Sequence, residues 1–321
     1  MSFAAACRLR PRSHGYLGDM IRMSAGRVAL VALVLLGMVG CGRDHAVEAS
    51  GPYAVGTRSV TFVDDSRPTA AFGSFPGAPN RTLVTDFWYP AAGDPAAAPA
   101  ADAEAADGPF PLILFNHGQQ GAPDQYAQSF QTWARAGYVV AAPRHPLTIK
   151  GGPGAVFVDD IEGELGDVPF VVKSIDDQMS DLVDVDHLVL AGHSSGAIVA
   201  YGDAFNTCCH FDDPDAVLLE ALTPIPLAGK YSDSLKGTPV LFMHGDADQA
   251  QFANAHAVFE EQKSPRFFLT IPGGDHSEVY RDSPQTQMVA DTALAFFDRY
   301  VKGRHQAGDI LDATPGIEAK P

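Results

Sequence analysis

Short apolar runs punctuate this chain, each bounded by Gly, Pro, Asp or Ser. They fall at Pro111 to Phe115, Tyr138 to Ala142, His187 to Ala191, Ala216 to Leu219, Pro239 to Met243 and Phe267 to Ile271. Runs of this length between turn signals predict buried strands. Helix-like stretches lie between them, at about 124–136, 168–184, 195–206, 249–262 and 284–302. Strand and helix in alternation predict an α/β fold, a mostly parallel central sheet with helices on both faces. Two more strands are expected upstream, Ser59–Val63 and Leu83–Tyr89, joined by a loop rich in Pro and Gly.

Three stretches break the pattern. Residues 91–109 are low-complexity Ala, Asp and Pro, a composition that cannot bury a core, and are expected as a floppy surface insertion. Residues 145–167 are rich in Gly, Pro and Asp and follow a strand end, where substrate-covering loops occur on such sheets. Residues 304–321 read as a frayed tail. The expected organisation is a leader over 1–40, a flexible tether over 41–54, and one domain over 55–303 ending in that tail. No internal repeat is visible.

The leader carries an unbroken apolar run of twelve residues, Val28 to Val39, with Arg22 and Arg27 before it. A membrane span needs about 20 apolar residues, so the run reads as a signal-peptide core and not an anchor. It ends in Met38-Val39-Gly40-Cys41, which resembles the bacterial lipobox, with Met38 where Leu is usual. That resemblance implies cleavage before Cys41 and lipidation of its thiol. The competing expectation is an ordinary secretory signal that happens to contain Cys41. Residues 1–19 are long for a signal flank, so Met20 and Met23 are candidate starts.

Charge narrows the picture. The 321 residues hold 22 Lys+Arg against 39 Asp+Glu, a formal charge of -17. Without residues 1–40 the balance is 17 basic to 38 acidic residues, or -21. So acidic a surface has nothing to neutralise phosphates, so no nucleic-acid partner is expected. Contact with a membrane is expected only through a lipid on Cys41. Four cysteines are too few for a disulfide scaffold or a zinc cluster. Cys208 and Cys209 are adjacent and are expected as free thiols.

The chemistry begins at Gly192-His193-Ser194-Ser195-Gly196, which follows the run His187 to Ala191 and precedes a helix-like stretch. Gly-x-Ser-x-Gly between strand and helix is the nucleophile-elbow pattern. A turn this sharp strains its central residue and brings neighbouring chains close, so small residues are needed two positions either side. Ser194 is the candidate nucleophile. Ser195 is the decoy: its N–H, not its hydroxyl, is expected to matter.

A serine nucleophile needs a base, and the base needs a carboxylate. Of eleven histidines, His117 and His193 sit in turn motifs and His244 closes a strand, so all three read as structural. His276 stands in the Gly-rich loop after the last predicted strand and is the candidate base. For the acid, His244-Gly245-Asp246-Ala247-Asp248 offers two carboxylates, and Asp275 beside the base a third. The run Leu114 to Phe115 ends in Asn116-His117-Gly118-Gln119. A tight turn there would aim the Gln119 N–H at the site, to form an oxyanion hole with the Ser195 N–H.

Ser, acid and His in this order, with the His-Gly strand end, resemble the α/β-hydrolase superfamily. Val55-Gly56-Thr57-Arg58, Asn80-Arg81-Thr82-Leu83, Trp88-Tyr89-Pro90 and the run 238–248 look like bacterial relatives of platelet-activating-factor acetylhydrolase. Within that resemblance Asp248 is the acid and Asp246 a loop brace. It implies a cofactor-free, metal-free serine esterase acting on a small-molecule ester with a short acyl group. Dienelactone hydrolases are a neighbouring group, but usually carry Cys where Ser194 stands. Two departures are the 91–109 insertion and Ser195, where Leu or Met is usual. The alternatives are a polyester, cutinase-like or lipase-type hydrolase with the same three residues, and a surface lipoprotein that only binds a ligand.

Overall fold

Eleven residues of alternating polarity, Ala54–Asp64, form strand β1, which pairs antiparallel with β2 (Arg81–Ala91) from Ala54↔Ala91 to Asp64↔Arg81. The computed structural model describes residues 53–320, apart from 157–158, 212–213, 233–236, 264 and 282. The leader, Cys41 and the tether as far as residue 52 lie outside the described residues. Downstream come β3 (Ala100–Ala101), β4 (Phe110–Asn116), α1 (Ala127–Arg135), β5 (Val139–Pro143) and α2 (Ile161–Met179). β6 (Val183–His193), α3 (Ser195–Phe205), β7 (Ala216–Glu220), β8 (Val240–Gly245) and α4 (Gln249–Glu261) follow. The chain ends with β9 (Arg266–Ile271), α5 (Pro284–Tyr300), α6 (His305–Ala313) and β10 (Ile317–Lys320).

All ten strands join one sheet, in the order β10-β9-β8-β7-β6-β4-β5-β2-β1-β3. The six strands from β5 to β9 in that order are parallel, and β2 and β10 flank them antiparallel. Strand side chains alternate between faces. Thus Leu112 and Leu114 pack with Val168, Ile198 and Phe259, while Ile113 and Phe115 pack with Phe130, Trp133 and Phe296. Helices α2, α3 and α4 cover the first face; α1, α5 and α6 cover the second. This is the expected architecture. Among the described residues no helix is long and apolar enough to cross a membrane.

Register gathers the strand ends on one edge. Asn116 lies beside Gly192, His193 beside Glu220, Glu220 beside Met243, and Gly245 beside Ile271. Four loops, beginning at 117, 194, 246 and 272, therefore leave the sheet side by side. That edge is where ligands meet open parallel sheets.

Four expectations need correction. The tail over 304–321 is not frayed: α6 buries Leu311 against α5, and β10 adds an edge strand to β9. A short edge strand is stabilised by its partner rather than by its own pattern, so 317–320 carried no local signal. The insertion 91–109 is pinned: Tyr89 donates from its hydroxyl to Ala103 O at 2.8 Å, and Arg135 donates to Pro95 O and Ala97 O. Helix α2 begins at Ile161 and not near 168, because Gly163 and Gly166 are close-approach positions rather than loop residues. A Cβ at Gly163 would sit 2.8 Å from Arg81 Nη1, and one at Gly166 would collide with Arg67. Finally, Cys208 and Cys209 form a disulfide instead of two free thiols. The turn after α3, closed by Cys209 N–H to Asn206 O at 3.2 Å, places them on one side.

Candidate active site

Ser194 occupies the turn between β6 and α3 with φ 55° and ψ -116°. That left-handed backbone is unfavourable for a residue with a Cβ, by roughly 1–3 kcal/mol, and the neighbours enforce it. Its N–H donates to Glu220 O on β7 at 2.8 Å. A Cβ at Gly192 would overlap Gly196 O, and one at Gly196 would overlap Asn116 O. Both glycines are thus demanded by backbone-to-backbone approach. Ser195 is buried in the first turn of α3, while the Ser194 hydroxyl emerges at the sheet edge.

From that hydroxyl a chain of hydrogen bonds runs across three loops. Ser194 Oγ lies 2.8 Å from His276 Nε2, and His276 Nδ1 lies 2.6 Å from Asp248 Oδ2. The carboxylate can only accept, so Nδ1 carries the proton and Nε2 is free to accept from Ser194. Burial opposes ionisation of Asp248, but hydrogen bonds from His244 and His276 outweigh it and hold its carboxyl below the usual carboxylate range. The other two acids point elsewhere. Asp246 Oδ1 accepts from Gly273 N–H at 2.6 Å, bracing the acid-bearing loop against the base-bearing one. Asp275 accepts from Ser277 N–H and pairs with Arg281.

The loops are locked together below this chain. His193 Nε2 lies 2.9 Å from His276 O, and its Nδ1 lies 3.0 Å from the Tyr126 hydroxyl, which in turn accepts from Gly118 N–H at 3.2 Å. One tautomer satisfies every bond: Nε2–H donates to the carbonyl and Nδ1 accepts from Tyr126. Burial pushes His193 down to about 3, so the ring stays neutral. Gln119 and Ser195 N–H have no hydrogen-bond partner among the described residues. Ser195 follows Ser194 directly, and Gly118, the residue before Gln119, lies against Ser194 and His193.

A second polar cluster, undetected from the sequence, supports the loop after β5. Arg81 pairs with Asp160 and Asp167, and His145 Nδ1 meets Asp167 Oδ2 at 2.9 Å. Asn116 Nδ2 donates to Ala191 O, which turns its Oδ1 toward His145 Nε2 at 3.1 Å. Both ring nitrogens of His145 therefore face acceptors, an arrangement that favours the protonated imidazole. Burial opposes that charge, but the Glu164 and Asp167 carboxylates overcome it and raise its pKa. Glu164, pushed up to about 7 by burial, accepts from the Thr148 hydroxyl at 2.6 Å. Thr148 O in turn accepts from Gln120 N–H, and Ala155 O from the Gln119 side chain. The segment 145–155 thus grips the loop that bears Gln119. Asp160, Glu164 and Asp167 share the i, i+4, i+7 spacing of one helix face, but they fall in the stretch that reads as an irregular loop; Arg81 lies inside a family-like stretch, and His145 carried no signal.

Two groups carry metal-ligand donor types. His244, Asp248 and His276 present atoms within 4.8 Å of one another, as do His256, Glu260 and Glu318. In the first, hydrogen bonds from both histidines to Asp248 already hold the set together. In the second, the Lys320 ammonium bridges Glu260 and Glu318.

A cleft of about 620 Å³ lies beside the far half of α3, lined by Ile161, Leu165, Pro169, Ile225, Leu227 and the Cys208–Cys209 pair among others. Its volume falls within the range of small-ligand sites.

Residues 96–246 match the chlorophyllase family. That stretch contains Gln119, Ser194 and Ser195 and stops before Asp248 and His276. Solved structures match over more of the chain. One is a ferulic acid esterase from Streptomyces cinnamoneus, 20% identical, with a TM-score of 0.64 over 86% of this chain and 99% of that one. No curated protein matches in sequence. The chain has the α/β-hydrolase fold, and the family match and structural likeness together support a carboxylic ester hydrolase.

Proposed function

We propose that the protein is an exported serine esterase whose catalytic residues are Ser194, His276 and Asp248. The observation that carries this reading is the unbroken hydrogen-bond chain from Ser194 Oγ through His276 to Asp248, at 2.8 and 2.6 Å. Ser194 attacks the acyl carbon while His276 Nε2 takes its proton. The oxyanion so formed accepts from Gln119 and Ser195 N–H. The intermediate collapses, His276 returns the proton to the departing alcohol, and an acyl-Ser194 ester remains. Water, deprotonated by His276, then releases the acid and restores the serine. Asp248 stays ionised throughout, holding the ring in the tautomer that can accept.

The substrate is a small-molecule ester, and the resemblance to acetylhydrolases favours a short acyl group. A second reading is favoured by the names chlorophyllase and ferulic acid esterase. It is an ester with a bulky apolar or aromatic group. Polyester and lipase-type substrates would use the same three residues. The apolar run 28–39 and Cys41 favour export, with a lipid on Cys41 as the membrane tether.

The test is hydrolysis of nitrophenyl esters from acetate to palmitate, with methyl ferulate alongside, by the wild type and Ser194→Ala. A short-acyl enzyme loses rate as the chain lengthens. Faster turnover of ferulate or palmitate selects the bulky reading. Folded protein with no activity on any ester, or a Ser194→Ala variant as active as the wild type, overturns the proposal.

A further inference from the structure

We propose that His244 is a positioning residue for the acid of this site: it holds the Asp248 carboxylate toward His276 and away from the helix that Asp248 begins. The proposal rests on the reading of Ser194, His276 and Asp248 given above. Oδ2 of Asp248 accepts twice, from His276 Nδ1 at 2.6 Å and from His244 Nε2 at 3.0 Å. Because a carboxylate offers no proton, His244 must carry its own on Nε2.

That tautomer has a cost visible in the fold. His244 is 1% exposed, and its Nδ1 is buried with no partner among the described residues. A buried acceptor left empty costs about 1–3 kcal/mol. The backbone of His244 is fixed by its strand pairing with Thr270, and its ring lies against Phe252, the centroids 6.0 Å apart. The ionisable groups that face it are Asp248 at the start of α4, His276 from the loop after β9, and His193 from the end of β6. Burial lowers its pKa, against the pull of Asp248, so the ring is a neutral donor.

Asp248 needs such a hold because it has an alternative. It is the N-cap residue of α4, a position where an Asp side chain ordinarily accepts from the free amides of the first turn. Here its side chain makes no capping bond. The carboxylate has turned away from its own helix toward the two histidines. His276 changes its protonation state in the course of each catalytic cycle. His244 sits on a strand end and does not, so it keeps the carboxylate in register between steps.

The experiment uses the full chain and nitrophenyl acetate, with His244→Leu, His244→Gln, His244→Asn, Asp248→Asn and the double variant H244L/D248N. The Gln amide reaches the place of Nε2, whereas the Asn amide falls short. The expectation is a ~10–100-fold loss of kcat in His244→Leu with KM within about twofold, and rescue to within about fivefold in His244→Gln. In the Asp248→Asn background, removing His244 should change kcat by less than about threefold, since its effect passes through that carboxylate. Unchanged kcat in His244→Leu, or an equal loss with and without Asp248, overturns the proposal. Should His244→Leu fail to fold, the contrast between Gln and Asn decides: equal kcat in the two overturns it. An Asp248→Asn variant with wild-type kcat would instead sink the three-residue reading itself.

Discussion

The ring of His193 donates from Nε2 to the main-chain oxygen of His276, 2.9 Å away. The residue before the candidate nucleophile thereby holds the backbone of the candidate base. Through Nδ1 and Tyr126 the same ring reaches Gly118, next to Gln119. Three loops that share no sequence neighbourhood are spaced by one neutral imidazole.

Replacing His193 with Phe should keep the ring volume and break both bonds. The His276 carbonyl and the Tyr126 hydroxyl would lose buried partners, each at about 1–3 kcal/mol. We expect kcat for nitrophenyl acetate to fall about 10–100-fold and the thermal midpoint to drop. Wild-type kcat in a folded variant would show that the loops hold their spacing without it.

The two carboxylates of the 246–248 loop separate by function. Asp248→Asn should lower kcat by about 10⁴-fold, because an amide can favour the wrong imidazole tautomer. Asp246→Asn keeps an Oδ1 that can still accept from Gly273 N–H and should cost less than about tenfold. Steady-state kinetics on the pair assigns the acid; the reverse order would make Asp246 the catalytic group.

Stability should peak near neutral pH. Burial lowers His117 and His193 to about 3, below their unfolded value, so the unfolded chain binds more protons and stability falls as pH drops below about 6.5. Burial raises Glu220 to about 8, so its contribution is whole below its unfolded value near 4.5 and is lost as pH climbs through 8. Glu220→Gln should therefore raise the thermal midpoint at pH 9 by at least ~4 °C relative to wild type, and far less at pH 5. A uniform shift at both pH values would remove Glu220 as the cause.

Leu311 on α6 is fully buried beneath α5. Leu311→Ala should destabilise the protein by about 2–5 kcal/mol, read as a lower urea midpoint. An unchanged midpoint would return residues 304–321 to the status of a loose tail.

Local chemistry made much of this protein legible in its sequence. The apolar runs that become β4 to β9 are buried on both faces, so each announces itself without reference to its partners. Gly192 and Gly196 mark the Ser194 turn in the sequence: the first is demanded by Gly196 O four residues on, although what demands the second is the distant Asn116 O. His276 could be named from its place after the last strand.

What tertiary structure decided is what depends on distance across the chain. Asp246 and Asp248 are chemically identical and two residues apart, so only the path of the loop against 272–276 shows which one meets His276. His193 reads as structural because its partners, His276 O and Tyr126, lie on other loops, and His244 because nothing local shows that the Asp248 side chain folds back onto it. The cluster joins Glu164 and Asp167, one turn apart on α2, to Arg81 and His145, which no periodicity connects to that helix. Strand β10 exists because β9 offers an open edge. Periodicity records how a segment meets solvent and core, whereas the direction of a single polar side chain is set by which neighbour the fold brings within 3 Å.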